Sequence, residues 1–532
     1  MKATTLSLFA VTASLAVVTG VAALNPPPGD RATGARATAR VPVQRTTLLC
    51  PAPGRPDAAG TADTAETAVT AFTPSSPPGG DSTAGGAAAD LVAAAKPATD
   101  GRTASDGADA KEDKDDKAAK DTADKEPAVK AGTPVLSLRR AGVPVTRTAK
   151  DATPPALLGT AEGPLAPGWS AQLTTTVTGG TGRGLYGVAC AAPDTSFWFP
   201  GASAAKGRRD YLHLTNPDST AAVVDVELYG KDGRLTTPTG EGVNVPPRST
   251  VPVLVSSLTD APEDDLTVHV AARTGRVGAA VHAVDDALGG DWLSPAADVS
   301  PGAVLPGIPA DATSVRLVAL ATGPDDADVR LRLAGPDGSI TPAGHETLHV
   351  RGGTTTAVEL ADLTRGEAGS LLLVPERGSA PVVAALRVTR GSGEKRETAF
   401  VTAGAALGRR GTLADNRPGA GTLSLTAADR DARVRVTASA GSGGGRPVTA
   451  EYTVRAGTTL AVRPPRPAGG SASGTYALTV ERLGGGPVYG SRMLAPAASG
   501  GVPAFTIQPL TDDRSTVLVP EVEQDVSVLL GD

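Results

Sequence analysis

Three stretches of this chain repeat one pattern: GVNVPPRSTVPVLV, TLHVRGGTTTAVEL and YTVRAGTTLAVRP. In each, a valine (Val245, Val350, Val454) leads into a small turn, and a threonine (Thr250, Thr355, Thr459) opens the next extended run. The spacings are 105 and 104 residues, by subtraction of those numbers. A fixed period of this kind restricts the chain to a tandem array of one supersecondary unit. Each unit begins with an alternating strand. Val224, Val226 and Leu228 mark the first, Val329, Leu331 and Leu333 the second, and Val434 and Val436 the third, with charged residues between them. A period of two with one polar face is a half-buried antiparallel strand. Turns follow at YGKDGR, AGPDGS and AGSGGG, where Asp-Gly and Gly-Gly supply the positive φ of a tight turn.

A last hairpin closes each unit, with Val277, Val382 and Val488 at matching places. That makes six or seven short strands per unit. A propeller blade needs only about 40–50 residues, so the period is too long for one blade. The sequence therefore predicts an all-β protein of tandem immunoglobulin-like β-sandwiches, each of about 105 residues. The segment WSAQLTTTVTGGTGRGLYGVACAAPDTSFWF reads as the closing hairpin of an additional N-terminal unit, its TGR and Trp198 matching the later TGR and Trp292. The predicted organisation is a signal or anchor segment at 1–24, a spacer at 25–40 and a split N-terminal unit at 41–74 plus 152–197. A disordered insertion rich in Ala, Asp, Lys and Pro occupies 75–151, and sandwiches follow at 198–302, 303–410 and 411–532. The insertion centres on DGADAKEDKDDKAAKDTADKEPAVK, which has too little apolar surface to offset the entropy of ordering.

Composition bounds the function. The net charge is −6, acids and bases are mixed along the chain, and aromatics make up 3%. There is no basic stripe with stacking rings, which excludes a nucleic-acid partner. Thr5 to Leu24 is an uncharged, largely apolar run of 20 residues after Lys2. It fits a signal peptide cleaved after Ala23, with Val21 and Ala23 at the small-residue positions, and equally a membrane anchor. The only two cysteines, Cys50 and Cys190, are expected to form one disulfide, as an even count in an exported chain suggests. It would join the strands on either side of the insertion.

Several motifs invite a chemical reading. His345, Glu346 and His349 form H-E-x-x-H, the zinc-peptidase signature. On a helix its histidines lie about 6 Å apart along the axis; on a strand they lie about 13 Å apart, too far to share an ion. Pro342 and Gly344 before the motif, and Gly352 and Gly353 after it, favour a strand. Gly182, Gly184 and Gly187 form G-x-G-x-x-G, but no helix follows, so a hairpin turn is expected in place of a dinucleotide site. Asp325, Asp326 and Asp328 read as an acidic turn and, alternatively, a weak calcium site. His269 and His282 sit on two arms of one apparent hairpin. Trp169, Trp198 and Trp292 read as packing between units, with a glycan-binding face as the alternative. No G-x-S-x-G elbow and no Ser-His-Asp set with a supporting context is legible. No catalytic, cofactor-binding or metal-ligating residue is assigned.

SFWFPGAS, DYLHLTNPDSTAAVVDVELYGKDG, VGAAVHA and GGDWL resemble an exported actinobacterial, streptomycete-type family of unknown function, domain-of-unknown-function family 5719. The resemblance extends to the LLCPAP and DDRSTVLVPE ends and implies an envelope-associated protein, with no reaction and no catalytic residues to transfer. The expectation is a non-catalytic, modular envelope protein without cofactors, acting as a scaffold or adhesion surface. Its expected partners are cell-wall polysaccharide or another envelope protein, and it meets the membrane only through its N-terminal segment. A glycan-binding protein is the alternative, and an envelope hydrolase the more distant one.

Overall fold

The structure, a computed structural model, describes residues 39–54, 65–75, 88–95, 131–150, 154–180, 182–471, 474–497 and 502–519. The segment at 1–24 and most of the spacer lie outside them. Among the described residues there is no α-helix, and 36 strands form nine antiparallel sheets. The fold class is all-β, as the sequence predicts.

Two compact units can be distinguished. The described part of the smaller is a two-stranded ribbon, β1 (Ala39–Pro42) paired with β36 (Thr516–Val519), whose Val41, Val517, Leu518 and Val519 are exposed. The larger, residues 43–515, contains four sandwiches, S1 to S4. S1 comprises β2 (Arg45–Cys50), β3 (Ala65–Phe72), β4 (Ala89–Ala93), β5 (Pro134–Leu138), β6 (Val145–Ala149), β7 (Leu157–Glu162), β8 (Ser170–Val177) and β9 (Gly184–Ala189). S2 comprises β10 (Ser196–Ala202), β11 (Tyr211–Thr215), β12 (Ala222–Gly230), β13 (Gly233–Arg234), β14 (Val243–Val245), β15 (Thr250–Leu254), β16 (Leu266–Thr274), β17 (Gly278–Asp285) and β18 (Gly289–Leu293). S3 comprises β19 (Ala303–Ile308), β20 (Ala312–Ala321), β21 (Ala327–Ala334), β22 (Ser339–Ile340), β23 (Thr347–Val350), β24 (Thr355–Glu359), β25 (Gly369–Pro375), β26 (Val382–Ser392) and β27 (Lys395–Thr402). S4 comprises β28 (Arg410–Asn416), β29 (Gly421–Ala427), β30 (Ala432–Ala438), β31 (Val448–Val454), β32 (Thr458–Val462), β33 (Tyr476–Gly485), β34 (Tyr489–Leu494) and β35 (Thr506–Pro509).

All four share one connectivity. In S4 the sheets run β28-β33-β30-β31 and β32-β29-β34-β35; the other three follow the same order. In each, the two sheets enclose one apolar core. This is not the immunoglobulin order, which places the first, second, fifth and fourth strands in one sheet. Here the strand before the final hairpin crosses over to pair between the first and third strands. The segments read from sequence as closing hairpins are therefore sheet-to-sheet crossings: β16 and β17, β25 and β26, and β33 and β34 lie in opposite sheets. The true closing hairpins come one strand later, as in β8–β9 and β26–β27.

The burial pattern shows why the sequence alternates in some strands and not in others. β21 alternates buried and exposed residues because its outer face meets solvent, whereas β18 is buried throughout. The later strands of the second sheets are largely buried on both faces because the sandwiches pack in a ring, while the edge strands β6, β15, β24 and β32 stay partly exposed. The final strands of these sheets meet in the order β9, β18, β27, β35 and back to β9. The predicted insertion at 75–151 is corrected in part. β4, β5 and β6 lie inside it, because the short apolar run ADLVA pairs with β7 and with PVLSL, and β6 pairs with β3. Residues 96–130 lie outside the described residues.

Cys50 ends β2 in one sheet of S1, and Cys190 follows β9 in the other; they form a disulfide with Cα atoms 4.4 Å apart. Beside it, Leu49 and Ala191 exchange backbone hydrogen bonds of 2.8 and 3.1 Å. The first and last strands of S1 are thereby clasped together.

Candidate functional site

The motif residues are dispersed. His349 lies on β23, where its Nδ1 pairs with Asp328 Oδ1 at 2.8 Å, while His345 sits in the turn before that strand. Asp326 accepts from the Gly352 N–H and so closes the turn between β23 and β24. Gly182 lies in the β8–β9 turn, Gly184 opens β9 and Gly187 lies within it. His269 and His282 do not approach one another as arms of a hairpin, because β16 and β17 are in opposite sheets. Trp169 and Trp292 are buried, and Trp198 is half-buried.

Several buried charged groups lie at the joints between sandwiches. Asp291 of S2 accepts from the Gly187 N–H of S1 at 2.9 Å. Glu397 of S3 accepts from Leu185 N–H of S1 at 2.8 Å and from Phe505 N–H of S4 at 3.4 Å, so one carboxylate touches three sandwiches. Burial pushes Glu397 up to about 7 and raises Asp291 well above the carboxylate range, against the hydrogen bonds that oppose it. Between S4 and S1, Gln172 bonds Gln508, its Oε1 accepts from the Asp415 N–H at 2.6 Å, and Thr174 donates to Asp415 at 2.7 Å. Arg492, fully buried beside them, is pulled down to about 10 by burial, with Asp415 opposing. Between S1 and S2 the joint is aromatic: Tyr186, His282, Trp292 and His213 cluster with ring centroids 4.7–6.3 Å apart. At one end of the axis the closing turns form an open recess of about 860 Å³, lined by Arg183, Ala287, Glu394, Lys395, Arg396 and Val502.

A third cluster lies on the outward face of the first sheet of S2. Register sets Trp198 opposite His269, and His269 opposite Glu227. Trp198 and His269 stack with centroids 3.8 Å apart and planes 12° from parallel. Glu227 receives His269 Nδ1 at 3.0 Å, the Tyr229 hydroxyl at 2.9 Å and Arg234 at 2.9 Å. Burial raises the Glu227 pKa, but these hydrogen bonds and the Arg234 charge outweigh it and hold the carboxyl below its usual range. Ser196 Oγ stands 3.1 Å from His269 Nε2.

A family model described as Family of unknown function (DUF5719) matches residues 145–465. The chain belongs to this family. The DUF5719 match contains all of S2 and S3, with β6–β9 of S1 and β28–β32 of S4. No curated protein and no solved structure matches the chain. The sequence reading missed both the axial charges and the Ser196–His269–Glu227 contact. The alternation along β12 and β16 was a usable signal, since it puts Glu227 and His269 on outward faces, but only the register places them opposite each other.

Proposed function

We propose that this DUF5719 protein is exported to the cell envelope, where its ring of sandwiches serves as a scaffold or interaction platform. The observation that carries this reading is the Cys50–Cys190 disulfide clasping S1. Such bonds form and persist in oxidising compartments outside the cytosol. The apolar run from Thr5 to Leu24 supports export, whether as a cleaved signal or as the sole membrane anchor. The ring interior is non-catalytic on this reading: Glu397, Asp291 and Arg492 join neighbouring sandwiches. The partner is another envelope protein or wall polysaccharide. Binding of an anionic wall polymer is favoured by the axial recess, where Arg183, Lys395 and Arg396 converge.

The test is fractionation of cells making the full chain, followed by maleimide labelling before and after reduction. An extracytoplasmic protein whose two cysteines label only after reduction supports the proposal. A cytosolic protein with both thiols free would sink it. Pulldown on purified wall, with and without competing polysaccharide, separates the two kinds of partner.

A further inference from the structure

The outward cluster on S2 has an order of contacts that packing alone does not require. β10, β16 and β12 are adjacent in the sheet, and they bring a hydroxyl, an imidazole and a carboxylate into line. With the His269 Nδ1–H donated to Glu227, the Nε2 lone pair faces the Ser196 hydroxyl. Tyr229 and Arg234 occupy the other positions on the carboxylate, and Trp198 covers one face of the imidazole, so the ring is fixed in orientation. Nucleophile, base and orienting acid are recognised by this geometry and not by their order in a chain.

We propose that Ser196, His269 and Glu227 form a nucleophilic site that hydrolyses carboxylic esters. Ser196 Oγ bonds to the acyl carbon as its proton passes to His269 Nε2. The ester C–O bond then breaks, and the leaving alkoxide takes that proton and departs as the alcohol. Solvent water attacks the acyl-serine carbon and gives a proton to Nε2. Collapse releases the carboxylic acid and returns the proton to Ser196. Glu227 orients the imidazole throughout and stabilises its charged form. β10 is an edge strand, and the Trp198 carbonyl on its outer side accepts from Ala296. Residues two apart on a strand share an orientation, so the Ser196 N–H points to the same side, beside its own hydroxyl, as a donor for the developing oxyanion. The site lies on an open sheet face, which suits an ester carried on an extended molecule.

This goes beyond the platform reading and is tested apart from it. The full-length protein is treated with a biotinylated fluorophosphonate and digested for mass spectrometry, with p-nitrophenyl acetate hydrolysis followed in parallel. The expected result is one adduct, on Ser196, abolished in Ser196→Ala and reduced at least 100-fold in His269→Gln. Glu227→Gln should slow labelling at least tenfold. Labelling should rise with pH in the parent and lose that rise in His269→Gln. Melting curves must match the parent, so that loss of labelling is not loss of fold. A folded parent without an adduct at Ser196, or labelling of Ser196 that is unchanged in His269→Gln, overturns the proposal.

Discussion

His213 and Glu397 are both buried and shifted in opposite senses, with opposite consequences for acid and base. Burial drops His213 from 6.5 to about 4. The folded state therefore holds it neutral, and its contribution is complete above pH 6.5 and lost as pH falls through 4. The shift corresponds to roughly 3 kcal/mol. Glu397 is raised from 4.5 to about 7, so its contribution is present below pH 4.5 and lost as pH rises through 7. Chemical denaturation at pH 8 should show Glu397→Gln more stable than the parent by roughly 3 kcal/mol, with little difference at pH 4. His213→Leu should flatten the fall in stability between pH 6.5 and 4. At this scale the sequence was readable in part. Thr355 and Thr459 stood out as repeated positions, yet their role is to join sandwiches: Thr355 bonds Thr267 at 3.0 Å, and Thr459 bonds Ser370 at 2.9 Å. Thr146 meets Thr475 in the same way between S1 and S4, at 2.7 Å.

Among elements, β2 and β9 depend most on a single covalent link. Chain entropy assigns up to ~5 kcal/mol to closing so long a loop, less any native strain. Cys50→Ser with Cys190→Ser should lower the melting temperature, and hydrogen exchange should quicken first in β2 and β9. If those strands exchange no faster than β20, the disulfide does not hold S1 together. Strand identity was legible wherever one face met solvent, as in β12, β21 and β30, because alternation reports that asymmetry. Partner choice was not legible. A turn between β16 and β17 looks the same in sequence whether the second strand pairs with the first or crosses to the facing sheet. Local residues set the turn, while pairing is set by strands distant in the chain. The matched TGR segments show this: Gly182 and Arg183 of the first lie in the β8–β9 hairpin, and the second lies at the β16–β17 crossing.

At the scale of the whole molecule, ring closure rests on contacts between residues far apart in sequence, such as Gln172 with Gln508, 336 positions apart. No local pattern announces such a contact, and this is why the sequence reads as a tandem array with no sign of its closure. Gly187 permits the closure. A Cβ there would lie 2.6 Å from the Thr506 side chain and 2.9 Å from Gln508. Gly187→Val should force S4 from S1, seen as new protease cleavage near β28 and β35 and a melting temperature lower by several degrees; an unchanged digest would contradict the closure. A different property follows from the way β4 and β5 bracket residues 96–130. Ala93 N–H bonds Thr133 O at 3.2 Å, and Gly132 N–H bonds Ala93 O at 2.9 Å, so the chain departs from S1 and returns at one spot. Closure entropy varies only with the logarithm of length, so cutting the 35 residues 96–130 to four, a nearly ninefold shortening, changes it by about 2 kcal/mol. Deleting 98–128 should leave the melting temperature within a few degrees. The same gap can then accept a foreign cassette, an epitope or a whole reporter domain, displayed from the molecule without disturbing its frame.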